Sequence, residues 1–210
     1  MAAATHFLWN GPRTAERTIL LAHGAGAAMD TPFMSAFAAG LGGHGLRVAR
    51  FEFPYMAEAR RTGKKRPPDR EPVLRDTWLK IVEKLGHEGL VIGGKSMGGR
   101  IASLIADEAG VAGLVCLGYP FHPVGKPEVL RVEHLTTIRT PTLIIQGERD
   151  SFGCMDEVRG YRLSSPVKVR WIEDGDHDLK PRKASGRTQE QNWAVGINEV
   201  AAFVESLSTS

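Results

Sequence analysis

Only two cysteines, Cys116 and Cys154, occur among 210 residues. At most one disulfide is available, far short of a disulfide framework, and a reducing cytoplasmic setting is expected. No apolar run approaches the ~20 residues that span a bilayer. The start, Met1-Ala-Ala-Ala-Thr-His6, lacks the charged and apolar regions of a secretory signal. Neither membrane association nor export is therefore expected. Metal motifs are missing too: there is no His-Glu-x-x-His and no paired-cysteine pattern. Asp174-x-Asp176-x-Asp178 imitates the start of a calcium loop. That loop needs Gly at its sixth position and Glu at its twelfth, and here they are Leu179 and Ser185. No metal and no cofactor are expected. There is no internal repeat, and no low-complexity region beyond the alanine-rich start.

What is present reads as one ordinary globular domain over residues 1–210, with 42% hydrophobic and 24% charged residues. Strand-like runs fall near 18–23, 46–53, 89–94, 113–118, 141–146 and 167–172. Helical patterns fall near 31–41, 72–86, 97–109, 154–161 and 188–207. This alternation predicts an α/β fold with a mainly parallel sheet covered on both faces. His6-Phe-Leu-Trp9, ahead of the turn at Asn10-Gly-Pro12, is a candidate antiparallel edge strand. In such sheets sites form at the carboxyl ends of the strands.

One of those strand ends carries chemistry. Gly94-Lys95-Ser96-Met97-Gly98 matches G-x-S-x-G between the apolar run Leu90-Val-Ile92 and a helical pattern through Ile101, Leu104 and Ile105. A serine on such a sharp turn is held in a strained conformation with small neighbours, which Gly94 and Gly98 supply. The same stretch, Gly89 to Ser96, also fits the phosphate-binding pattern G-x-x-x-x-G-K-[ST]. In a phosphate loop the four intervening residues follow the strand, whereas Leu90, Val91 and Ile92 read as the strand itself. The nucleophile reading is therefore preferred.

On an elbow of this kind the chain order is Ser, then Asp or Glu, then His. Of seven histidines, only His177 follows the best acid-bearing strand end, Pro141-Thr-Leu-Ile-Ile-Gln-Gly-Glu-Arg-Asp150. Asp150 is taken as the acid, with Asp176 as the main alternative. The buried run Thr18-Ile-Leu-Leu-Ala-His23 leads into Gly24-Ala25-Gly26-Ala27, a turn suited to aiming a backbone N–H at a developing negative charge. Met97 and Ala25 are the expected oxyanion amides, with Gly26 close behind Ala25. His23 precedes the acid in chain order and is expected to brace the loop.

HGAG, GKSMGG, GERD and GDHD, in this order, resemble the α/β-hydrolase family, over about residues 17–207. The closest likeness is to its small lid-less, dienelactone-hydrolase-like members. Arg50-Phe-Glu-Phe-Pro-Tyr-Met56 and Gly63-Lys-Lys-Arg-Pro-Pro-Asp-Arg70 look like a subgroup containing testis-expressed and chromatin-complex relatives. The resemblance implies an α/β-hydrolase fold and a serine hydrolase acting on a carboxylic ester or thioester through Ser96, Asp150 and His177. It also allows a catalytically silent interaction module that binds a protein partner. Lys95 departs from the residues common before the nucleophile in that family, and is a candidate substrate contact.

The segment where such proteins carry a lid, residues 119–140, is short and rich in proline, so a loop with at most a short helix and an open cleft are expected. Tyr55, Met56, Tyr119 and Phe121 are candidate walls, each equally at home in the core, and His122 is expected at the surface. Of a net charge of +3, residues 60–70 hold +5, leaving −2 for the rest. With Lys180-Pro-Arg-Lys183 and Arg187 they could attract an anionic substrate or an acidic partner surface; the simpler reading is two solvated loops. No nucleic-acid-reading motif accompanies the charge, so specific nucleic-acid binding is not expected.

Overall fold

The computed structural model describes residues 5–208, so most of the alanine-rich start lies outside the described residues. In chain order the elements are β1 (Phe7–Asn10), β2 (Thr18–Ala22), α1 (Pro32–Gly43), β3 (Arg47–Phe51), α2 (Pro54–Thr62), α3 (Glu71–Leu85) and β4 (Leu90–Lys95). There follow α4 (Met97–Ala109), β5 (Gly113–Leu117), β6 (Thr142–Gly147), α5 (Met155–Val158), β7 (Val167–Ile172) and α6 (Gln189–Ser206). The strands form one sheet in the order β1-β3-β2-β4-β5-β6-β7. β1 pairs antiparallel with β3, Phe7 opposite Phe51, and every other neighbouring pair is parallel. The expected edge strand is present.

The sheet is apolar on both faces, which is why its central strands read as unbroken hydrophobic runs. Side chains alternate across it. Leu20, Ile92, Leu114 and Ile144 pack with Leu74 and Trp78 of α3 and Ile101 and Ile105 of α4. Ile19, Leu21, Val91, Val115 and Ile145 pack on the other face with Phe33 and Phe37 of α1 and Val200 and Val204 of α6. β7 closes the far edge with Lys168 and Arg170 exposed, the charged pattern that discourages further strand pairing.

Local chemistry sets the helix starts. Thr31 Oγ1 accepts from the Met34 amide at 3.4 Å, with Pro32 at the first helical position. Thr188 and Gln191 form a reciprocal capping box at the start of α6. α2 was not anticipated. Its one buried residue is Tyr55, and its N-terminus is capped from outside, the Tyr55 amide donating to Asp69 Oδ2 at 2.9 Å. Such a helix leaves little apolar periodicity to read. α5 is also shorter than expected, and Gly160 follows it within two residues.

Between β5 and β6 the chain is a loop with one 3-10 turn at Glu133–Thr136, as expected, and there is no lid domain. His122 corrects an expectation: it is buried, its Nδ1 donating to the Pro123 carbonyl at 2.8 Å. The proline-rich loop folds back over the core and carries that histidine inward. Among the described residues no helix is long and apolar enough to cross a membrane.

Candidate active site

β4 delivers Ser96 to the carboxyl edge of the sheet. The serine has φ 51° and ψ −116°, a left-handed conformation costing about 1–3 kcal/mol for a residue with a side chain. Neighbouring backbone imposes it. The Ser96 amide donates to Leu117 O at 3.0 Å, while a Cβ on Gly98 would stand 2.5 Å from Ala22 O and 2.6 Å from His23 O. A Cβ on Gly94 would press onto Ala22 O as well. The elbow thus lies tight against the end of β2, and only glycine fits on either side.

The loops after β6 and β7 bring the other two residues to the serine. Ser96 Oγ lies 2.9 Å from His177 Nε2, and His177 Nδ1 lies 2.8 Å from Asp150 Oδ2. A carboxylate only accepts, so Nδ1 carries the proton and Nε2 is the lone-pair nitrogen facing the serine hydroxyl. Asp150 is fully buried, and three donors hold it: His177 Nδ1, Gln146 Nε2 at 2.9 Å on Oδ2, and the Phe152 amide at 2.9 Å on Oδ1. Asp176, the alternative acid, accepts instead from the Asp178 and Lys180 amides at 2.9 Å each and shapes the turn that presents His177. Asp174 is paired to Arg149 and Arg182. Two of the three carboxylates of the calcium-like triplet are therefore committed to loop structure.

Gln146 was missed by sequence reasoning. It is fully buried at the end of β6, accepts from the Tyr119 amide at 2.7 Å, and donates to Asp150 and to the Tyr119 and Gly153 carbonyls. The signal was available: an amide side chain closing the apolar run Leu143-Ile144-Ile145.

His23 braces the glycine loop as expected. The Phe53 amide donates to its Nε2 at 3.1 Å, so Nδ1 bears the proton and donates to Gly24 O at 2.8 Å. Burial pushes its pKa down, favouring the neutral ring. Tyr55 Oη donates to Ala25 O at 2.8 Å, so the loop is held by its carbonyls and the Ala25 N–H is not used in these bonds. Met97 opens α4, where an amide has no preceding intrahelical acceptor.

Ser96 faces two cavities. The larger, about 570 Å³, is lined by Phe33, Lys95, Phe152, His177 and Trp193. The smaller, about 380 Å³, is lined by Leu74, Met97, Arg100, Pro120, Arg131 and Phe152. Ala25 and Ser96 border both. Tyr55, Met56, Tyr119 and Phe121 line neither, which corrects their reading as walls. Tyr119 and Phe121 are fully buried, Tyr55 nearly so, and Met56 packs against the same core. The lining aromatics are Phe33, Phe152 and Trp193, and the Phe152 ring sits 4.3 Å from that of His177. Lys95 does line the larger cavity. Its Nζ donates to His177 O at 2.7 Å, lies 3.3 Å from Asp178 Oδ1, and stands 5.3 Å over the Phe33 ring. Burial lowers its pKa, opposed chiefly by the Asp178 charge.

A family model described as an alpha/beta hydrolase domain matches residues 15–205. The chain belongs to the alpha/beta hydrolase family. Solved structures with this fold include an alpha-beta serine hydrolase homologue from Coxiella burnetii, 20% identical with a TM-score of 0.69, covering 97% of this chain and 92% of that one. A dienelactone hydrolase from Anabaena variabilis is 20% identical with a TM-score of 0.72, again covering 97% and 92%. A serine hydrolase without a lid from Xanthomonas campestris is 14% identical with a TM-score of 0.65, covering 93% and 89%. At these identities the likeness is one of fold. Within the α/β-hydrolase family the lid-less architecture has solved counterparts, and the elbow of this chain lies inside the matched region.

Proposed function

We propose that the protein is a serine hydrolase of the carboxylesterase or thioesterase type, with Ser96 as nucleophile, His177 as general base and acid, and Asp150 as orienter. The observation that carries this reading is the unbroken hydrogen-bond chain from Ser96 through His177 to Asp150, at an elbow that opens on a cavity. Ser96 Oγ attacks the carbonyl carbon as its proton passes to His177 Nε2. The amides of Met97 and Ala25 receive the oxyanion. Collapse breaks the bond to the leaving group, which takes the proton from His177 and departs as alcohol or thiol, leaving an acyl-Ser96 ester. Water then gives a proton to His177 and attacks the acyl carbon, and the proton returns to Ser96 as the acid is released. Nothing in this cycle calls for a metal or cofactor.

A silent interaction module would have no need to maintain a strained serine in contact with a histidine that is itself tied to a buried acid. The narrower likeness to testis-expressed and chromatin-complex relatives rests on the segments Arg50–Met56 and Gly63–Arg70. A cytoplasmic setting fits two cysteines that are both free thiols. The test is labelling with a fluorophosphonate, read by peptide mass spectrometry, with kinetics on a small aryl ester. Ser96 should be the labelled residue, and Ser96→Ala should lower kcat by on the order of 10⁶. Full activity in Ser96→Ala would overturn the assignment, with Ser103, buried one turn beyond Gly99 in α4, as the internal control.

A further inference from the structure

The two cavities differ in a way that sorts the substrate. His177 lines the larger and is absent from the smaller, whereas Met97 lines only the smaller. A leaving group must take its proton from His177 Nε2, so it occupies the larger cavity, among Phe33, Phe152 and Trp193. The acyl chain then runs the other way, along Leu74 and Pro120 into the cavity containing Arg100 and Arg131.

We propose that this smaller cavity is an acyl subsite for a chain ending in a carboxylate, so that the substrate is a monoester or monothioester of a short dicarboxylic acid. The proposal rests on the serine-hydrolase reading and names its substrate class. Arg100 stands one turn after Ser96 on α4, about 6 Å along the helix axis, and helical side chains lean back toward the N-terminus. Its guanidinium pairs with Glu71 at 2.9 Å. Arg131 comes from the loop that replaces a lid. Its backbone is pinned there, the amide donating to Phe121 O at 2.7 Å and the carbonyl accepting from Tyr119 Oη at 2.8 Å. Among the described residues its guanidinium has no carboxylate partner. Partial burial and the neighbouring Arg100 cation both work against its charge.

Two carboxylates also border the cavity, and neither supplies that partner. Glu71 is engaged by Arg100, and Asp69 accepts from the Tyr55 amide at the start of α2. Apolar walls leading to an unpaired, partly buried arginine suit a few methylene groups ending in an anion. A guanidinium can hold such a terminus with two parallel hydrogen bonds. The exposed lysines of the 60–70 segment line neither cavity.

The test compares 4-nitrophenyl monoesters of glutaric and adipic acid with their methyl-capped neutral counterparts, after subtraction of spontaneous hydrolysis. The wild-type protein should favour the anionic esters in kcat/KM by about tenfold or more, a preference worth one decade of binding free energy. Arg131→Gln should bring the ratio close to one, and Arg131→Lys should retain part of the preference. A partly desolvated pair is weakly screened, so most of the preference should survive high salt, unlike steering by exposed charges. Equal rates for anionic and neutral esters in the wild type, or an undiminished preference in Arg131→Gln, would overturn the proposal. Binding separates this failure from that of the hydrolase reading. In Ser96→Ala, calorimetry should detect methyl hydrogen glutarate more tightly than dimethyl glutarate, with the difference lost on adding Arg131→Gln. No difference there refutes the subsite even if Ser96 is labelled, and a clear difference supports it even if turnover is not seen.

Discussion

Replacing Asp150 by asparagine probes the site through its hydrogen-bond polarity, because the substitution conserves shape. The two carboxylate oxygens now accept from three donors: His177 Nδ1 and Gln146 Nε2 on one, the Phe152 amide on the other. An asparagine offers one accepting oxygen and one donating NH₂. If the oxygen serves the Phe152 amide, the NH₂ faces Gln146 Nε2 and forces the imidazole to accept at Nδ1. The ring proton then moves to Nε2, and the nitrogen beside Ser96 Oγ becomes a donor with no lone pair for the serine proton. If the amide flips, its NH₂ meets the Phe152 N–H instead. Gln146 cannot turn to relieve either arrangement, because its carbonyl oxygen is held by the Tyr119 amide at 2.7 Å.

Either orientation leaves a buried donor without an acceptor, so Asp150→Asn should lose about 1–3 kcal/mol of stability. With the asparagine oxygen on the Phe152 amide, the tautomer error should cost on the order of 10⁴ in kcat, about 5.4 kcal/mol of barrier. Asp176→Asn is the matched control. Its Oδ1 accepts from two backbone amides, and an asparagine oxygen does the same, so activity should change by less than about threefold. The measurements are kcat for a small aryl ester and urea midpoints for the three proteins. Retention of wild-type kcat in Asp150→Asn, or a larger loss in Asp176→Asn, would refute the assignment of the acid.

Two further outcomes follow from the surroundings of the site. Lys95→Met keeps the packing of the stem but removes the donor on the His177 carbonyl, so kcat should fall by about tenfold to a hundredfold with KM changed far less, as for an interaction that matters in the transition state; unchanged kcat with a lowered Tm would make Lys95 purely structural. His134, bonded to Ser103 at 2.8 Å and pushed down to about 4 by burial and the Arg100 charge, is neutral in the folded state where the unfolded chain protonates near 6.5. The unfolded chain therefore binds more protons between those values, so stability should decline as pH falls through that window and level off below it, by about 1–2 kcal/mol after allowance for partial exposure. Urea midpoints at pH 7.5, 5.5 and 4.5, with His134→Gln as the variant of reduced slope, check this; a slope equal to wild type would assign the acid sensitivity elsewhere, His23 included.

The sheet was legible because its strands are buried on both faces, and Leu90 to Ile92 or Leu143 to Ile145 leave few alternatives. Ser96 and His177 were legible for a different reason: the elbow tolerates only small neighbours, and chain order then excludes the other histidines. Sequence put Asp150 ahead of Asp176 only by its place at a strand end. That choice depends on where the loop after β6 turns, and on Gln146 and the Phe152 amide waiting there. The wall residues failed because aromatics near a strand end look alike whether they point into a cleft or the core. Tyr119 and Phe121 enter the core because the loop after β5 folds down over α4, and its 3-10 turn places Leu135 fully buried beneath it.

For the charge run, the simpler reading of the sequence is two solvated loops. The basic segment at 60–70 stands out in the sequence, yet much of it is bound to acids: Arg60 to Asp30 and Glu52, Arg61 and Arg66 to Glu58. Arg182 and Arg187 are likewise engaged by Asp174 and Glu173. Exposed pairs of this kind contribute little stability, and among the described residues Lys64, Lys65 and Arg70 have no acidic partner. The cations bordering the smaller cavity are two that no charge run announces. Arg100 reads as the polar face of an amphipathic helix, and Arg131 as one more residue of a proline-rich loop. They come together only where the loop in place of a lid is short enough to lie across α4, so the short loop and the charge in the smaller cavity are one structural choice.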